Sequence, residues 1–257
     1  DMVPDISAPV SRTKSIPAWD TTGNKADWVK RMQVYAAMID RMDQGIGKVL
    51  DKIESAGELD NTIIMFISDN GGCSVGVESR NLHIEGTEIG EKGSYKAYKE
   101  PWANASNTPY RFYKNWMHEG GILTPFIVHW PEKIKEPAIV KEQYGHIMDI
   151  MPTFLEAANI DYSNIGNDEE KISLKGTSLM PVFKNQSISR EEPIFWEFLG
   201  AKAVRRGNMK LVAGKNSAWE LYNLDEDPTE LNDISELHPE LVEELNGLYT
   251  EWSNKVG

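Results

Sequence analysis

The longest regular pattern in the chain is a set of apolar residues stepping by four and three: Trp28, Met32, Tyr35, Ile39, Met42, Ile46, Val49 and Ile53. That spacing predicts one long amphipathic helix with a single buried face. Asp27 suits the positive end of its dipole, and Gly57 is its stop signal. Gly45 and Gly47 lie inside it and point to a kink or a close contact. Asp40 and Asp43 read as solvated positions on its polar side. The pattern then changes period. Residues 62–68 form a continuous apolar run rich in β-branched and aromatic residues, which predicts a buried strand. A long helix feeding such a strand through a short link is an α/β unit.

After Gly72 the period is lost through residues 73–112, a loop long enough to imply a functional or mobile role. Trp102, Tyr110, Phe112 and Tyr113 give this region aromatic surface. Residues 112–117 suggest a short helix, and Gly120-Gly121 a turn into a second central strand closed by Pro131. Residues 145–159 predict another helix that buries Ile147, Ile150, Met151, Phe154, Leu155 and Ala158, with Pro152 in its first turn. An acidic loop follows over 161–176, then a helical turn. Beyond Glu191 the spacing shortens. Residues 193–198, 202–206, 209–212 and 219–224 predict four strands of an antiparallel meander. Pro239 opens a last helix with Leu241, Leu245, Leu248 and Trp252 on one face. The fold class is therefore α/β, with a main portion over 1–190 and a small sheet-and-helix subdomain over 191–257.

The 257 residues carry a formal charge of −13, which argues against nucleic acid or an anionic membrane as a partner. An anionic substrate would have to be drawn in by a local cation. Cys73 is the one cysteine, so an intrachain disulfide is excluded. No apolar run reaches the roughly 18 residues of a membrane-spanning helix.

The candidate chemistry starts where the first strand ends. Asp69-Asn70-Gly71-Gly72 is turn chemistry, and Gly there allows positive φ or close backbone approach. In α/β sheets ligands gather outside the carboxyl ends of strands. Asp69 and Asn70 offer oxygen donors of the kind a hard cation prefers. A plain surface turn after a core strand explains the same four residues.

Several segments together resemble one family. Ile67-Ser-Asp-Asn-Gly71 resembles the metal-binding segment of the sulfatases, members of the alkaline-phosphatase-like superfamily. Asn104-Ala-Ser-Asn-Thr-Pro-Tyr-Arg-Phe-Tyr-Lys114 and His118-Glu-Gly-Gly-Ile-Leu-Thr-Pro-Phe-Ile-Val-His-Trp-Pro131 resemble the arylsulfatase block that follows it. Asp149-Ile-Met-Pro-Thr-Phe-Leu-Glu-Ala-Ala158 resembles the next helix. Residues 203–212 and 220–230 resemble the C-terminal sheet. The resemblance implies part of an alkaline-phosphatase-like α/β/α sandwich with a small C-terminal antiparallel sheet plus helix. It also implies a sulfuric-ester hydrolase acting on a sulfated small molecule or glycan.

The roles implied are these. Asp69 and Asn70 ligate a divalent cation, usually Ca²⁺, and Lys114 contacts the sulfate. His118 is a catalytic candidate with a structural hydrogen bond as its alternative, and Arg111 a substrate-binding one. Arg80 and His83 are weaker candidates for reaching substrate, Glu119 shapes the Gly-Gly turn, and His129 and Cys73 read as structural and incidental.

The family's nucleophile, a formylglycine made within Cys/Ser-x-Pro-x-Arg, has no match here. Ser7-Ala-Pro-Val-Ser and Ser15-Ile-Pro-Ala-Trp lack the Arg. The Asp-Asp pair that opens the family's metal site is also absent. The chain is thus expected to correspond to the C-terminal part of a sulfatase, inactive alone, with self-association through an open sheet surface. Export to the periplasm or outside the cell is implied for the full-length parent. A phosphate- or phosphonate-ester hydrolase of the same superfamily and a non-catalytic module are the alternatives.

Overall fold

The four-and-three spacing folds into α1, Lys25–Ser55. Its end is fixed by Gly57 at φ 76°, with Gly57 N donating to Glu54 O (2.8 Å) and Glu58 N to Ile53 O (3.2 Å). This is a Schellman cap, and it needs the left-handed residue that glycine supplies. The computed structural model describes residues 13, 15–76, 82–140, 143–164 and 172–256. The first half of α1 is covered: Tyr35 stacks on Tyr98 at 4.6 Å, and Trp102 Nε1 donates to Trp28 O at 2.8 Å. The second half is not, because Ile39, Met42 and Val49 remain exposed. Gly45 and Gly47 are not required by a close contact, since a Cβ at either position would meet nothing within 4 Å.

The apolar run at 62–68 gives β1, Ile64–Ile67, paired antiparallel with β2, Phe126–His129, in the register Ile64↔His129 and Ile67↔Phe126. The expectation of buried central strands is not met. Phe66, Ile67 and Ile127 are exposed, and so is His129, because no described layer packs over the two-stranded sheet.

The stretch 73–112, read as lacking structure, contains α2, Lys99–Asn107. The carboxylate of Glu100 anchors its start by accepting from Tyr113 Oη (2.6 Å) and Ser15 Oγ (2.8 Å). Residues 112–117 do not form the expected helix. The single helical turn falls instead on the Gly-Gly pair, as α3, Glu119–Ile122. The helix expected over 145–159 is a 3₁₀ turn, Ile147–Asp149, running into α4, Ile150–Ala157. Its apolar face is open, with Ile147, Met151, Phe154 and Ala158 exposed. The helix is held from its polar side. Buried Asp149 accepts from His146 N and Thr177 N, each at 2.7 Å, and pairs with Arg190 at 2.6 Å. Buried Thr153 donates to Asp149 O and accepts from Leu179 N.

The C-terminal meander forms as expected: β3 (Ile194–Phe198), β4 (Ala201–Arg206), β5 (Met209–Ala213) and β6 (Glu220–Asn223), antiparallel in sequence order. One face, with Val204, Leu211 and Leu221, buries against Leu245 and Tyr249 of α5, Pro239–Val256. The other face, with Ala203, Val212 and Tyr222, packs on Met117. Strand alternation thus assigns one side to α5 and the other to the loop that precedes α3. No helix among the described residues is long and apolar enough to cross a membrane.

The open setting of Gly45 and Gly47 makes a prediction. Gly45→Ala or Gly47→Ala removes an unfavourable helix residue without a clash, so each raises unfolding stability by about 1 kcal/mol in urea titrations.

Candidate functional site

The end of β1 is fixed by two glycine pairs that interleave. Gly71 N donates to Gly121 O at 2.9 Å, and a Cβ on Gly71 would lie 1.8 Å from Gly120 O. Gly120 N donates to Arg111 O at 2.9 Å, and its own Cβ would fall 2.3 Å from that oxygen. A Cβ on Gly121 would sit 2.0 Å from Trp116 O, and one on Gly72 2.6 Å from Tyr98 Oη. None of the four lies at positive φ. At Gly71, Gly120 and Gly121 glycine is required by close approach of backbones and not by backbone conformation, while Gly72 is crowded first by the Tyr98 side chain.

This lock places the predicted residues. Gly72 N donates to Asn107 Oδ1 (2.9 Å), and Gly72 O accepts from Lys114 N (3.0 Å). Lys114, half-buried, is therefore bound through its backbone two residues from Asn70. Asp69 is exposed. Asn70 Nδ2 donates to Gly71 O at 2.8 Å, which orients the amide and leaves Oδ1 as its remaining donor to a cation. Thr124 Oγ1 and Ser68 Oγ tie the surrounding backbone, donating to Ser68 O (2.9 Å) and Asn70 O (3.1 Å). Asp69 and Asn70 thus fit a hard cation in donor type, and would offer it two side-chain ligands. No group of three or more His, Cys, Asp or Glu that could hold a metal occurs among the described residues.

Arg111 and His118 are engaged elsewhere. Both meet the carboxylate of Glu220: Arg111 Nη1 at 2.7 Å and His118 Nε2 at 3.0 Å. Arg111 Nη1 also donates to Tyr222 Oη (2.8 Å) and Glu230 O (3.2 Å), and Tyr222 Oη donates to Glu220 at 2.6 Å. Burial alone would raise the Glu220 carboxyl, but the bonds from His118 and Tyr222 and the Arg111 charge hold it down at about 2. Burial pushes His118 down to about 4 despite the Glu220 bond. The ring is therefore neutral, with its hydrogen on Nε2 facing the carboxylate. Its Nδ1 is buried without a hydrogen-bond partner.

Behind this group lies a second cluster. Lys210 Nζ is 2.6 Å from Glu119 Oε1 and 2.8 Å from Glu230 Oε1, the latter contact being off hydrogen-bond geometry. Burial, against the Lys210 charge, pushes the Glu230 carboxyl up to about 7.

The remaining candidates are dispersed. His83 Nδ1 accepts from Tyr95 N at 3.2 Å. Cys73 is half-buried, Ser15 is spent on Glu100, and Arg80 and Ser7 lie outside the described residues. Sequence reasoning missed Lys210, Glu220, Tyr222 and Glu230. The available signal was a charge inside a short apolar strand, as in Met209-Lys210-Leu211-Val212 and Glu220-Leu221-Tyr222.

A model of the sulfatase family matches residues 8–160, more than half of the chain. The chain belongs to the sulfatase family. A second match, N-sulphoglucosamine sulphohydrolase, C-terminal, covers residues 109–252. An uncharacterised sulfatase of Schizosaccharomyces pombe is 33% identical over 98% of this chain and 49% of its own length. The arylsulfatase of Klebsiella aerogenes is 31% identical over 60% of this chain and 35% of its own. The chain thus spans about half the length of the first of these relatives, and less of the second. Among solved structures, Ps i-CgsB in complex with k-i-k-neocarrahexaose superposes with a TM-score of 0.62 at 25% identity, over 90% of this chain and 47% of that one. BT4656 in complex with D-glucosamine-2-N,6-O-disulfate gives 0.53 at 26% identity, over 86% and 40%. These likenesses agree with the alkaline-phosphatase-like fold expected from the sequence.

Two predictions follow the geometry of this sulfatase chain. Gly71→Ala forces a side chain into the Gly120 carbonyl and lowers unfolding stability by about 1–3 kcal/mol, measured by denaturant titration. His118 supplies the second. Its folded pKa lies below the ordinary value of 6.5, so its contribution is intact above pH 6.5 and is lost as pH falls toward 4. Glu230, raised, acts with the opposite sign between pH 4.5 and 7, so comparison with a variant isolates the histidine. The stability of the wild type relative to His118→Gln falls by roughly 3 kcal/mol between pH 6.5 and 4.

Proposed function

We propose that this chain forms one wall of a sulfuric-ester hydrolase site, in which Asp69 and Asn70 hold Ca²⁺ and Lys114 holds the sulfate group. The observation that supports this reading is the Lys114 N to Gly72 O bond, which ties the Lys114 backbone to the turn that carries Asp69 and Asn70 at the end of β1. Ca²⁺, when bound, supplies fixed positive charge beside the ester oxygens. The Lys114 ammonium holds oxygens on which charge builds as the S–O bond breaks. A chain of formal charge −13 needs such a local cation to receive an anionic ester. Arg111 and His118 are assigned a positioning role through Glu220 in place of contact with substrate, because Arg111 Nη1 and His118 Nε2 are engaged there. The substrate class is a sulfated sugar, supported by the disulfated glucosamine bound in the BT4656 structure.

The formylglycine motif is not in this sequence, and two oxygen donors fall short of the about six to eight that Ca²⁺ takes. The chain alone is therefore expected to bind Ca²⁺ at about 1 mM or weaker and to leave an aryl sulfate unhydrolysed. Calorimetric titration with CaCl₂ tests the site: Asp69→Ala removes the binding heat and Asn70→Ala reduces it. Binding that is indifferent to Asp69 overturns the metal assignment, and steady aryl-sulfate turnover by this chain overturns its predicted inactivity.

A further inference from the structure

Three buried charges connect the C-terminal sheet to the glycine lock. Lys210 of β5 and Glu230 are fully buried, and Glu119 nearly so. Lys210 holds the Glu119 carboxylate at 2.6 Å, while Glu230 Oε2 accepts from Glu119 N, also at 2.6 Å. Glu119 is thus gripped at both its side chain and its amide, by residues 210 and 230. The next two residues are Gly120 and Gly121, and Gly121 O receives the hydrogen bond from Gly71 N. Gly72 then receives Lys114 N. The path from Lys210 to Asp69, Asn70 and Lys114 consists of one ion pair, the Gly71–Gly120 backbone contact that admits no Cβ, and the backbone hydrogen bond from Lys114 N to Gly72 O.

Stability does not account for this arrangement. Desolvating one ammonium and two carboxylates costs several kcal/mol per ion, and an apolar replacement of similar shape is often neutral or stabilising. Leu211, Val212 and Ala213 of the same strand are apolar and buried, so β5 tolerates apolar side chains. What the charges add is direction. They fix one carboxylate and one amide at the first residue of the turn.

We infer that Lys210, Glu119 and Glu230 are positioning residues: through the Gly120-Gly121 turn they set the place of Asp69, Asn70 and Lys114, and with it the affinity of that rim for its cation. The statement about affinity rests on the reading of the rim given above, and the statement about position does not.

The test combines amide hydrogen exchange with CaCl₂ calorimetry on the whole chain, comparing the wild type with Lys210→Met and Glu119→Gln. Exchange at Gly71 and Lys114 is expected to rise about tenfold in Lys210→Met, with amides at the α5 side of the sheet, such as Val204 and Leu221, unchanged. Ca²⁺ affinity is expected to fall about tenfold. Glu119→Gln keeps the Lys210–Glu230 pair and so covers the case in which Lys210→Met does not fold. It is expected to raise exchange at Gly71 and Lys114 about threefold with the sheet intact. Exchange that rises equally across the sheet, or stays unchanged at Gly71 and Lys114, overturns the positioning role. Loss of local protection in a protein whose wild type shows no Asp69-dependent calcium heat supports positioning and removes the metal assignment instead.

Discussion

The contact between Gly71 and the Gly120-Gly121 backbone is the constraint on which the rest of the structure depends. At 1.8 Å from Gly120 O there is no room for even a methyl group on Gly71. The approach joins the end of β1 to α3, segments some fifty positions apart in sequence. It simultaneously closes the 73–113 excursion, orients Asn70 and fixes the backbone of Lys114. Few local interactions specify so much, because packing two backbones directly removes the side-chain freedom that would otherwise blur the geometry.

Charge is handled in two different ways around this contact. On the rim, Asp69 is exposed and solvated. Behind it, Lys210, Glu119 and Glu230 are removed from water, and Arg111, His118 and Tyr222 converge on Glu220. Such partners are costly to bury and geometrically demanding, so they resist small displacements that an apolar core would absorb. A neutral imidazole with an unpartnered Nδ1 shows the expense of this choice.

Periodicity made some of this legible in the sequence and not the rest. The extent of α1, the order of β3 to β6 and the face of α5 followed from local pattern, because each carries its periodicity in its own residues. Burial did not follow. The apolar faces of β1, β2 and α4 lie open, and a hydrophobic pattern states that a face needs a partner without stating where the partner is. The Gly-Gly pair read as a turn because close approach and loose turn share a composition. Lys210 and Glu220 escaped notice because a charged residue within a strand is ordinarily solvated. Asp69, Asn70 and Lys114 were reached through family resemblance, since their proximity arises from contacts with no local signature.

The hydrogen bond from Lys114 N to Gly72 O has an evolutionary consequence. It shuts the base of the 73–113 excursion, so the two ends stay together whatever lies between them. Closure entropy grows only slowly with loop length. The part of the stretch ahead of α2 is freer to change in length, while α2 and the anchoring residues keep their places. A lineage can in this way acquire a new selectivity by replacing one insert, leaving the frame beneath it untouched.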